Sequence, residues 1–77
     1  MTDYTPITCG VYERYELAIL RRRQLRLCWR EDNVIYDQTV TPVGLETRAG
    51  EEFLVFLDAD GSRRRVRLDR IRKTETV

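Results

Sequence analysis

Few groups in this chain are able to do covalent chemistry. It has no histidine and two cysteines, Cys9 and Cys28. The usual general base near neutral pH is therefore missing, and with it the Ser-His-Asp and Cys-His arrangements. Cys9 opens a predicted helix, where the helix dipole lowers a thiol pKa, but a packed or capping residue is the better account of it. The two cysteines form no CxxC pair and have no histidine to complete a metal site. Gly10, Gly44, Gly50 and Gly61 stand alone and make no phosphate loop. Glu51-Glu52 and Asp58/Asp60 flank predicted strands, as solvated strand ends do. The chain reads as non-enzymatic, with no catalytic residue, metal or cofactor, and the chemistry left to it is binding.

Two groups of residues suit binding. Tyr12, Glu13 and Glu16 fall together on a helix, an aromatic beside two carboxylates, which suits a basic patch on a partner protein. An ordinary solvated helix face is the plainer explanation. Arg63, Arg65 and Arg67, with Arg70 and Arg72 beyond them, alternate along a strand and suit phosphates. An edge strand protected from aggregation by charge explains them too, since few aromatics are interleaved for base stacking. Pattern alone leaves the choice open.

The elements that must position these groups are legible from periodicity. Pro6 keeps Tyr4 to Thr8 extended. From Gly10 to about Leu20, Val11, Tyr15, Ala18 and Ile19 recur on one helical face, with Leu17 and Leu20 off the stripe. Glu13 and Glu16 occupy the first two turns, where the helix dipole favours carboxylates. Gln24 to Arg30 alternates as a strand with Leu25, Leu27 and Trp29 inward, and Glu31-Asp32-Asn33 turns the chain. Val34 to Val40 is a second strand of open register. Thr41-Pro42-Val43-Gly44 is expected to break it and Leu45 to Gly50 to continue as a loop. Phe53 to Leu57, apolar on both faces, predicts a strand covered on both sides. Asp58 to Ser62 is a hairpin turn, Arg63 to Leu68 a strand with Arg65 and Arg67 outward, Asp69 to Ile71 a tight turn, and Arg72 to Val77 a short fifth strand or a frayed end.

The expected fold is α+β and mainly β: one helix followed by about five antiparallel strands in a small barrel or sandwich. With 77 residues there is room for one domain, 1–77, which buries only about 60–65% of the surface its unfolded chain exposes. Apolar residues at 42% and charged residues at 35% suit a folded soluble chain. No apolar run approaches the roughly 20 residues of a membrane span, and no signal-peptide layout opens the chain, so a cytoplasmic protein with two reduced, buried thiols is expected. The net charge of +1 says little about partners. The blocks Arg21-Arg22-Arg23 and Arg63-Arg64-Arg65 say more.

The series Tyr4-x-Pro6-Ile7-x-Cys9-x-x-Tyr12-x-x-x-Glu16-Leu17-Ala18, with Glu52-Phe53-Leu54-Val55 and Arg67-Leu68-Asp69-Arg70-Ile71 further on, resembles the Rof (YaeO) family of Rho-binding antiterminators over nearly the whole chain. That resemblance implies a bacterial cytoplasmic protein with an N-terminal helix on an Sm-like barrel. It implies binding to the hexamer of transcription termination factor Rho at its primary RNA-binding surface, which blocks RNA loading. Carried over residue by residue, the Rho contacts fall on Tyr12, Glu13, Glu16 and, in the loop before the central strand, Arg48. Gly10 and Val11 stand where the family has two acidic residues. An Sm-like scaffold also keeps open direct binding of single-stranded RNA through Arg63, Arg65 and Arg67. A ring-forming assembly would need exposed edges to pair between copies; the basic strand discourages that, and a monomer is expected.

Overall fold

The computed structural model describes residues 3–77. In chain order it contains α1 (Cys9–Leu20), β1 (Leu25–Glu31), β2 (Val34–Arg48), β3 (Glu51–Leu57), β4 (Arg63–Arg67), a single 3-10 turn (Leu68–Arg70) and β5 (Ile71–Thr76). The strands pair antiparallel in the order β4-β3-β2-β1-β5. One N-terminal helix thus packs on a five-stranded antiparallel sheet, the mainly β fold expected from periodicity.

The helix begins one residue earlier than the apolar period suggests, because Thr8, not Cys9, caps it: the Thr8 hydroxyl accepts from the Val11 amide at 3.4 Å. Cys9 is exposed and free, and Cys28 is half-buried and free, so the expectation of two buried thiols fails for Cys9. Tyr15 and Ala18 are the buried residues of α1, with Val11, Tyr12 and Ile19 packed at the core's edge. The Tyr15 hydroxyl meets the Thr74 hydroxyl at 2.9 Å, fixing the helix against β5.

β2 is the longest departure from expectation. It runs 15 residues, straight through the predicted break at Thr41–Gly44 and the predicted loop after it. The reason lies in the β2/β3 ladder, whose register shifts between Pro42 and Gly44. Val43 is pushed out of register and exposed, so proline's missing donor and the extra residue are absorbed in a bulge that leaves the strand intact. Pairing of Trp29 with Tyr36, Leu27 with Gln38 and Leu25 with Val40 settles the register of the first half and turns Tyr36 and Val40 inward. Val34 and Ile35 remain exposed at the hairpin tip.

Two hairpins turn through paired positive φ angles, Asp32 (48°) with Asn33 (66°) and Ala49 (50°) with Gly50 (78°). This is the two-residue connection whose twist matches that of the strands. The core is built from Tyr15, Leu27, Trp29, Leu54, Phe56 and Leu68 with their smaller neighbours. Trp29 stacks on Tyr36 at 5.2 Å and meets Phe56 edge-on at 5.2 Å, a geometry that adds to simple burial. β3 is covered on both faces, but unequally. Leu54 and Phe56 enter the core, while on the other face Phe53 lies under the Arg65 guanidinium at 5.0 Å. Arginine side chains do there what a second apolar layer was expected to do.

Candidate functional site

Polar contacts tie the extended lead-in to the sheet and to the 3-10 turn. Asp3 pairs with Arg67 at 2.6 Å, the Tyr4 hydroxyl donates to Glu52 at 3.3 Å, and the Thr5 amide donates to Asp69 at 3.1 Å. Because Thr8 caps α1 directly after this segment, these contacts fix where the helix starts. They also bring Glu52 of β3 near Tyr12 of α1. Burial, then the charges of Glu52 and Glu16, push the Tyr12 hydroxyl above its ordinary pKa of 10.0. Burial, then Glu52, push Tyr4 up to about 12. Tyr12, Glu16 and Glu52 therefore form one acidic neighbourhood around an aromatic ring. Glu52, read from sequence as a solvated strand end, is the member that sequence reasoning missed. Alternation along Glu51–Leu57 would have shown that Glu51 and Glu52 face opposite sides, since Glu51 pairs with Arg67 while Glu52 meets Tyr4.

Glu13 and Glu16 are exposed on α1. The first turn of the helix contains no acidic residue, so the dipole, whose effect fades within that turn, gives these carboxylates little. They stand three residues apart as like charges, and the positions four residues further on are Leu17 and Leu20. Such a pair costs a helix roughly 0.2–0.5 kcal/mol. Among the described residues neither has an ion-pair partner, whereas Asp37, Glu46, Glu51, Asp58 and Glu75 on or beside the strands are all paired. Leu20 (78% exposed) follows the two carboxylates on the outer face one turn further on. The result is an acidic and apolar surface that the helix itself does not require. Arg48 ends β2 opposite Glu51 in the β2/β3 turn and is exposed.

The arginine strand is a different object from the one expected. Arg67 does not point out to solvent: its side chain is 10% exposed and is held by Asp3, Glu51 and Asp69 at 2.6, 2.7 and 2.6 Å. These hydrogen bonds raise its pKa further. Arg65 pairs with Glu46 at 3.3 Å, and Arg64 with Asp58 at 2.8 Å. Of Arg63, Arg65 and Arg67, only Arg63 is without an ion-pair partner among the described residues, so the three do not form a row of free guanidinium groups. Among the described residues, no group of histidine, cysteine, aspartate or glutamate is placed to hold a metal ion, and no helix is long and apolar enough to cross a membrane.

No family model matches the chain, and none of the curated proteins does. Among solved structures the fold is similar to a segment of Proteasome accessory factor B/C (PafBC) of Arthrobacter aurescens, with a TM-score of 0.79 and 20% identity over 96% of this chain and 12% of that one. The resemblance to the Rof family is corrected by these findings: no family model supports it, and the similarity found lies with a segment of PafBC. Rho as a partner rested on that resemblance and is left without support. At 20% identity over about an eighth of the longer protein, the likeness to PafBC is one of fold.

Proposed function

We propose that this chain is a non-catalytic regulatory module connected with transcription, acting by occupying a basic surface of a partner protein with the outer face of α1. The observation that carries this is the pair Glu13 and Glu16: exposed, without ion-pair partners among the described residues and of no benefit to their own helix. Glu52, beside the Tyr12 ring, extends the charge on one side, and Leu20 adds apolar area that a protein partner would bury. A protein surface that accepts this arrangement of carboxylates is one that also attracts phosphates, so the mechanism is competition with nucleic acid for that surface. The likeness of fold to part of a transcription regulator supports the setting, not the partner. Direct RNA binding through β4 has less behind it, because Arg65 and Arg67 already pair with Glu46, Asp3, Glu51 and Asp69.

The test is transcription in a lysate of the source cells, with transcript lengths and yields compared with and without added protein. Wild-type protein alters them, and the Glu13→Lys/Glu16→Lys double variant, with an unchanged circular-dichroism spectrum, does not. A photo-crosslinker placed at exposed Leu20 then joins the chain to a protein whose nucleic-acid binding falls as the chain is added. Transcripts unaffected at large excess, or equally affected by the double variant, overturn the reading.

A further inference from the structure

On the side of α1 away from Glu16, a cavity of about 230 Å³ lies between the C-terminal half of the helix and β5, lined by Arg14, Arg21, Arg23, Leu17, Leu25 and Thr74, with Ala18 and Thr76 completing it. Among the described residues, its charged members are all cationic and no carboxylate lines it. Arg21 caps the helix, its amide donating to the Leu17 carbonyl at 2.9 Å, and the Arg22 amide donates to the Ile19 carbonyl at 3.2 Å. Arg22 turns through a φ of 54°, and the Arg23 amide returns to the Ala18 carbonyl at 2.9 Å. The backbone that carries Arg21 and Arg23 is therefore fixed. Arg14 donates to the Thr74 carbonyl at 3.4 Å, which places a third guanidinium at the β5 side of the groove. The apolar floor comes from Leu17, Ala18 and buried Leu25. β5 is an end strand of the sheet, and among the described residues its outer edge has no strand neighbour.

We infer that this groove is a second docking site, for an acidic peptide segment of a protein partner with an aliphatic side chain between its carboxylates. Three arginines with no opposing acid select negative charge, and the leucine and alanine floor selects an aliphatic group. A nucleic-acid strand fits less well: among the described residues no aromatic ring lines the groove for a base to stack on. The site takes chemistry opposite to that of the Glu13/Glu16 face. The two share one helix, so a partner with an acidic segment beside a basic surface would engage both sides of α1 at once.

The probe is a short fluorescein-labelled peptide of alternating glutamate and leucine, titrated with the full chain by fluorescence anisotropy at low salt. Saturable binding is expected, weakened roughly fivefold by Arg21→Glu, weakened also by Leu17→Ser, and lost when serine replaces leucine in the peptide. Glu16→Lys leaves this binding in place, which separates the site from the acidic face and lets either reading fail alone. Circular dichroism confirms that each variant is folded; Arg21 is exposed, so its side chain is not needed by the core. Absence of saturable binding overturns the inference. So does binding that survives the leucine-to-serine change, or a labelled oligothymidylate that binds as tightly and is equally weakened by Arg21→Glu, since either marks a general polyanion surface.

Discussion

Asp58 accepts from Arg64 through one carboxylate oxygen at 2.8 Å, while its other oxygen takes the amides of Asp60 at 2.9 Å and Ser62 at 3.0 Å. One buried side chain therefore closes the β3–β4 turn and aims the first part of β4. Arg64 continues the contact by lying over Tyr36 at 5.4 Å, and Tyr36 stacks on Trp29. The turn is linked in this way to the aromatic centre of the core.

The first prediction concerns acid stability. The hydrogen bond from Arg64, followed by those from the turn amides, holds the Asp58 carboxyl below its ordinary 3.8. A depressed carboxylate contributes stability that is fully present above the unfolded pKa and is lost as pH falls through the folded one. Urea midpoints should be flat above about pH 5 and decline below about pH 4. Asp58→Asn should lower the plateau and flatten the decline. A decline of unchanged depth in Asp58→Asn would show that Asp3 and Asp37, also depressed by arginine partners, carry the effect instead.

Arg67 supplies the second prediction. It gathers Asp3, Glu51 and Asp69 and lies over Tyr4 at 5.8 Å, so one guanidinium joins the lead-in, β3, β4 and the 3-10 turn. A planar fork with several donors can do this and a lysine ammonium cannot match its directions. Arg67→Lys should therefore lower the melting temperature clearly, and Arg67→Ala by more. Arg63→Ala, at an exposed position without an ion-pair partner among the described residues, should change it little. Equal effects at Arg63 and Arg67 in thermal melts would contradict this.

These two residues mark where sequence stopped being informative. The helix, the first hairpin, the central strand and the Asp-Gly turn follow from short-range period and turn chemistry, and the chain obeys them. Whether Arg67 faces water depends on Asp3, which is 64 positions away, and on Glu51 across β3; no local pattern contains that information. Pro42 misled for a related reason. A proline ends a strand in isolation, but the shift beside Gly44 that accommodates it is a property of the β2/β3 pair. In the candidate site, Tyr12, Glu13 and Glu16 were visible as a helical face, whereas Glu52 joins them only because the folded lead-in brings β3 and α1 together.

Ala49 offers a gain in stability. Its φ of 50° is in the left-handed region, which costs a residue with a Cβ roughly 1–2 kcal/mol while asparagine tolerates it better. Ala49→Asn should stabilise the protein by roughly 0.5–1 kcal/mol in urea unfolding, since Asn-Gly is the preferred pair for this turn. Ala49 is exposed, so no packing is given up. A loss of stability would mean that the turn is not held in this conformation in solution.

Phe56 tests the core. It is fully buried near the C-terminal end of β3 and meets Trp29 edge-on. Phe56→Ala should cost about 3–5 kcal/mol, enough to unfold much of a domain this small. Phe56→Leu keeps most of the volume and should cost clearly less. If the two variants were equally destabilised in denaturant titrations, the loss would belong to the aromatic contact and not to the cavity.

The electrostatics of the acidic face can be read from its tyrosine. Burial and the charges of Glu52 and Glu16 raise the Tyr12 pKa above 10.0. Tyr4 rises to about 12, through burial and Glu52. A raised pKa means that stability is fully present below the unfolded value and is lost as pH climbs through the folded one, so alkaline unfolding should begin only above about pH 10. Glu16→Gln should lower the Tyr12 pKa and leave Tyr4 where it was, while Glu52→Gln should lower both, as followed by NMR of ring-labelled tyrosine. Binding of a cationic partner to the face should act in the same direction as Glu16→Gln, because an added positive charge favours the tyrosinate. A Tyr12 titration indifferent to both glutamine variants would mean that Glu16 and Glu52 do not share its neighbourhood, and the acidic face would reduce to Glu13 and Glu16 alone.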